Sequence, residues 1–73
     1  MSDLQTRLLK AHAQDDRLAL IGLYEEAAET AREIGARCFF LTHAYVFALD
    51  AGDKRALALR EALIAEGREP PEA

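Results

Sequence analysis

Twelve consecutive residues, Cys38 to Leu49, carry no charge in a chain where 30% of residues are Asp, Glu, Lys or Arg. Wound into a helix at about 100° per residue, CFFLTHAYVFAL presents apolar side chains at almost every angle, and such a helix has no face to give to water. Its neighbours must enclose it. The run falls far short of the roughly 20 residues that span a bilayer and is interrupted by Thr42 and His43, so it reads as the buried helix at the centre of a small domain, with no membrane expected. The remaining sequence has to supply the amphipathic elements that wrap it.

Those elements are predicted to be helices. Ala and Leu supply 26 of the 73 residues, whereas Val, Ile and Thr together supply seven, a balance that favours helix over strand and predicts an all-α fold. A chain of this length makes one domain, placed at residues 1–67, and buries only about 60% of the surface its unfolded form exposes. Segregated apolar faces or a partner must then supply much of the stability.

Four helices are expected, near residues 3–13, 16–34, 37–51 and 54–66. Ser2 with Gln5 three residues later forms a capping box ahead of Leu4, Leu8 and Ala11, which share one stripe. Asp15 and Asp16 place an N-cap and negative charge at the second helix start. In that helix Leu20, Leu23, Tyr24, Ala27, Ala31 and Ile34 fall within about 100° of arc, with Glu25, Glu29 and Glu33 opposite. Gly35 is expected to end it as a left-handed C-cap, Gly52 to end the third helix, Asp53 to cap the fourth and Gly67 to close it. The tail REPPEA, residues 68–73, contains two consecutive prolines and almost nothing to bury, and is expected to be mobile.

Several function classes lose support. A single cysteine forms no internal disulfide and no secretory signal opens the sequence, which fits a cytoplasmic location. A formal charge of −4 with scattered basic residues offers no footprint for nucleic acid. Phosphate loops and nucleophile motifs are absent, and the carboxylates Glu25, Glu26, Glu29 and Glu33 sit opposite the apolar stripe, so no enzyme activity and no cofactor are expected. Cys38 and His43 lie about 140° apart on their helix and no metal-ligand spacing occurs, so no metal is expected. The alternative class is a small-molecule-binding, metal-binding or catalytic helical domain that gathers His12, His43 and Cys38 in three dimensions.

The third and fourth helices, with Ala51-Gly52-Asp53 between them, resemble a tetratricopeptide repeat, a helix-turn-helix unit with the pattern W-x₂-L-G-x₂-Y…A-x₃-F…P. Phe40 takes the Trp position, Ala44 the small residue at the close helix approach, Phe47 the aromatic, Gly52-Asp53 the turn and Ala56 the packing Ala. His43 stands where the family prefers Leu, Arg60 where it prefers a large apolar residue, and Pro70 and Pro71 come too late. The resemblance implies two antiparallel helix hairpins and a protein-interaction module of scaffold or adaptor type. A weak echo of the second half in the first pairs Asp15 with Asp53 and Arg17 with Arg55.

Two faces of the third helix are candidate partner surfaces. His43 and Asp50 lie within about 20° of one another and, with Phe39, Val46 and Phe47, make a strip of mixed polar and aromatic character suited to the rim of a protein groove. Cys38, Leu41, Tyr45 and Ala48 form a second, apolar stripe. If nothing in the chain covers it, this stripe predicts a homodimer, the commonest closed assembly; a first helix folded back over it is the competing arrangement. Arg60 interrupts the apolar arc of the fourth helix, its stem packing there and its guanidinium reaching water or a carboxylate such as Glu25 or Glu29.

Overall fold

The computed structural model describes residues 3–67, which form four helices: α1 (Asp3–Ala13), α2 (Arg17–Thr30), α3 (Ile34–Ala51) and α4 (Arg55–Ala65). Among the described residues there is no strand, as the composition predicts. The helix backbones pack in chain order, α1 on α2, α2 on α3 and α3 on α4, and the pairing of α2 with α3 is the most extensive. The result is flat, 31 × 29 × 15 Å. Side chains fix the antiparallel direction of each neighbour pair: Arg7 reaches Glu26 at 2.7 Å, Arg17 reaches Asp50 at 2.9 Å and Arg37 reaches Glu66 at 2.9 Å.

Two of the three turns are variants of one device. At the end of α3, Gly52 is left-handed with φ 66° and donates its N–H to the Leu49 carbonyl, while the Asp53 N–H bonds the Ala48 carbonyl at 2.8 Å. These are the two hydrogen bonds of a Schellman motif. At the end of α1 the same pair recurs, Asp15 N–H to His12 and Asp16 N–H to Ala11, with Asp15 at φ 53° in the left-handed position. Asp15 therefore corresponds to Gly52 and Asp16 to Asp53, one residue out of step with the echo read from sequence. Each second aspartate caps the next helix: Asp16 accepts from the Ala19 N–H, and Asp53 from the Arg55 N–H.

The turn between α2 and α3 corrects the expectation for Gly35. The helix stops at Thr30, the chain runs extended through Ala31 (ψ 130°) and Glu33 (ψ 143°), and α3 begins at Ile34 with Gly35 in its first turn. Extended backbone is open to any residue, so this reversal needs no glycine, and Gly35 has no positive φ. Ile34 consequently leaves the α2 stripe and is exposed. Ser2 and the tail 68–73 lie outside the described residues.

The core follows the apolar stripes. Ala11, Leu20, Ile21, Ala27 and Ala28 from α1 and α2 are buried, as are Leu59 and Leu63 from α4. From α3 the buried set is Cys38, Leu41, Ala44, Tyr45 and Ala48. Ala44 and Ala48 are fully enclosed, which marks them as the points where the neighbouring helices come closest to α3. Arg60 is exposed and makes no ion pair among the described residues; Glu25, one carboxylate considered for it, sits 3.8 Å from Arg55 instead.

Candidate interaction surface

Helix α3 divides into three sectors. Its inner sector, Cys38, Leu41, Ala44, Tyr45 and Ala48, joins one cluster with Ile21 and Ala28 of α2 and Leu59 and Leu63 of α4. This corrects the reading of Cys38, Leu41 and Tyr45 as an uncovered partner stripe: they are 3, 8 and 5% exposed within one chain. The physical reason is that α4 brings its own apolar arc, Leu59 and Leu63, which needs a partner as much as the stripe does. Neither a second copy nor a refolded α1 covers it.

The second sector faces α1 and α2 through rings. Tyr24 stacks on Phe47 at 5.9 Å and on His43 at 5.1 Å between centroids, and Phe40 lies 6.2 Å away. His12 shares a 2.9 Å hydrogen bond between its Nε2 and the Tyr24 hydroxyl and meets Phe47 edge-on. His12 and His43 thus gather on Tyr24 from different helices, while Cys38 lies in the inner sector. Among the described residues no group of three or more His, Cys, Asp or Glu stands where it could hold a metal ion.

The outer sector is open. Phe39, Val46 and Leu49 are 57, 51 and 42% exposed, and Thr42 lies between them. Two rows at four-residue spacing cross it obliquely, Gly35–Phe39 continuing into His43 and Phe47 of the second sector and Thr42–Val46 starting from Cys38 of the inner one, with a furrow between. The furrow holds a hollow of about 410 Å³ lined by Gly35, Cys38, Phe39, Thr42 and His43, and one of about 190 Å³ lined by Thr42, His43, Val46 and Phe47. Gly35 leaves one end open, since nothing lies within 4 Å of where its Cβ would be.

The hydrogen-bond donors of this furrow are satisfied from within α3. Thr42 donates its hydroxyl to the Cys38 carbonyl at 2.8 Å. His43 Nδ1 lies 2.9 Å from the Phe39 carbonyl, which only accepts, so that nitrogen carries the hydrogen. An apolar surface with internally satisfied donors costs little to desolvate, which suits it to an apolar partner. Of the residues expected on the mixed strip, Phe39 stands exposed, His43 and Phe47 are half-buried along the furrow, and Asp50 is exposed in an ion pair with Arg17.

Thr42, Gly35 and Leu49 were missing from the expected surface. Their signal was present in the four-residue rows, but nothing in a linear sequence says which sector of an all-round apolar helix its neighbours leave uncovered. Other depressions lie between α2 and α4, bordered by the Arg37–Glu66 and Arg55–Glu25 pairs, between α1 and α2, bordered by Arg7–Glu26, and, with a volume of about 450 Å³, among Leu4, Leu8, Ala27, Ala31 and Phe40 where α1, α2 and α3 meet. No helix of the described residues is long and apolar enough to cross a membrane. Comparison with protein-family models, curated proteins and solved structures finds no match to this chain.

Proposed function

We propose that this chain is a protein-interaction module, a small helical scaffold or adaptor domain of the kind that tetratricopeptide-like hairpins provide, and that its partner surface is the outer sector of α3. The observation that carries the reading is the Phe39–Thr42–Val46 furrow. It exposes large apolar side chains, keeps its hydroxyl and imidazole N–H bonded inside the helix, and lies on one continuous helix. Aromatic and aliphatic anchors beside shallow hollows are what protein interfaces concentrate at their centres.

A photo-crosslinking side chain tests this in the cell of origin. Placed at Val46 it is expected to give discrete protein adducts, while the same group at Arg60, on the outer side of α4, gives none above background. Absence of protein adducts at Val46 would remove the reading.

A further inference from the structure

Resting on that reading, we infer that the occupant of the furrow is a second copy of this chain, its α3 packed antiparallel on the first about a two-fold axis near Thr42 and His43. The face is self-complementary in shape. Phe39 projects from one row, and the 190 Å³ hollow between Thr42, His43, Val46 and Phe47 lies further along the same furrow. A two-fold axis between projection and hollow seats each Phe39 in its partner's hollow, against Val46. Rows at four-residue spacing entering the matching grooves of another helix are the commonest way helices pack.

The charges agree. In an isologous contact the residues nearest the axis meet their own counterparts, so any charge there faces a like charge. Cys38 to Leu49 has none. The charges stand at the two ends, Arg32 just before α3 and Asp50 in its last turn, where Asp50 already holds Arg17 of its own chain at 2.9 Å with its side chain still 55% exposed; antiparallel pairing turns the exposed Arg32 toward the end of the partner that carries Asp50. Arg32 is exposed and makes no ion pair among the described residues. Within these 73 residues no other element is placed to fill the furrow: α1 packs on α2, and the six residues after Gly67 include no Leu, Ile, Val, Phe, Tyr or Trp. A single helix pair buries less than the roughly 800 Å² per partner of a standard interface, so the dimer is weak, with a Kd on the order of 100 μM.

Sedimentation equilibrium on the full chain between about 10 μM and 1 mM tests the pairing in the range where such a Kd is visible. The mass is expected to rise from 8.1 kDa toward twice that value. Phe39→Lys and Val46→Glu, each at a position more than half exposed, are expected to weaken association at least tenfold one at a time. Combined in one chain they restore it, because the two-fold sets each new ammonium against the partner's new carboxylate. Thermal melts followed by circular dichroism confirm that the variants remain folded. A wild-type mass that stays at 8.1 kDa throughout, or a double variant no better than the single ones, overturns the inference. If the wild type stays monomeric while a crosslinker at Val46 still captures a different protein, the furrow remains an interaction surface and only the second copy is excluded.

Discussion

Arg55 closes a ring on Asp53 with three hydrogen bonds: its backbone N–H at 2.8 Å and its Nε at 3.0 Å meet Oδ1, and its Nη2 at 3.0 Å meets Oδ2. The guanidinium and the backbone N–H both favour the ionised carboxylate and pull its pKa from 3.8 down to about 2. A folded pKa below the unfolded one gives stability that is present above pH 4 and lost as the pH falls from about 4 toward 2. Urea unfolding should show the wild type exceeding Asp53→Asn at neutral pH and the two converging near pH 2. Parallel curves down to that pH would show that the ring does not couple to folding.

Asp15 holds the left-handed position that Gly52 holds in the equivalent turn. A left-handed conformation costs an L-residue more than glycine, although Asp tolerates it better than most. Asp15 is exposed and forms no side-chain bond among the described residues, so trimming it gives up only its charge ahead of α2. Asp15→Gly is expected to stabilise the chain by up to about 1 kcal/mol in chemical denaturation. A destabilised variant would show that the aspartate does more than occupy the turn.

Gly22 lies in the interior of α2 with φ in the ordinary range, and a Cβ there would meet only Arg55 Nη1 at 3.7 Å, an ordinary contact with the end of a flexible side chain. Gly22→Ala is expected to raise stability by about 0.5–1 kcal/mol, from helix propensity and a less flexible unfolded chain. A lower melting temperature would mean that the Arg55 side chain cannot yield.

Size and burial part company on α3 and α4. Leu63 is almost fully enclosed, while Leu57 is 74% exposed on the same helix. Leu63→Ala is expected to cost about 2–5 kcal/mol and Leu57→Ala under about 0.5 kcal/mol, read from urea midpoints. Ala44→Leu, which adds atoms where no space remains, should cost about 1–3 kcal/mol, more than removing the whole ring in Phe39→Ala. Equal effects at Leu63 and Leu57 would contradict this arrangement of the core.

Much of this architecture was readable from local chemistry. The α1 boundaries, the Asp16 cap, the Gly52 turn and the central place of Cys38 to Leu49 all follow from residue types acting on their immediate neighbours. The reversal at Ala31 to Glu33 was not, because no residue there compels it and tertiary packing of α3 on α2 decides where the helix stops. The inner sector of α3 was read as open, alongside the outer strip that is open, for a similar reason. Cys38, Leu41 and Tyr45 look no different from Phe39 and Val46 on a helical projection, and only the arrival of Leu59 and Leu63 from α4 separates buried from open. That an evenly apolar helix packs between two neighbours is legible; that it is not enclosed but keeps one sector open at Phe39, Val46 and Leu49 is a property of the whole chain.

Because the helix backbones touch only their neighbours in sequence, each pairing closes a connection of just three residues. Little chain entropy stands between one helix and the next, and no distant segments must find each other before packing rewards them. Assembly can start at the broad α2–α3 contact and extend outward one helix at a time, a nearly one-dimensional search. Such local connectivity places the chain among proteins that fold in roughly microseconds to milliseconds.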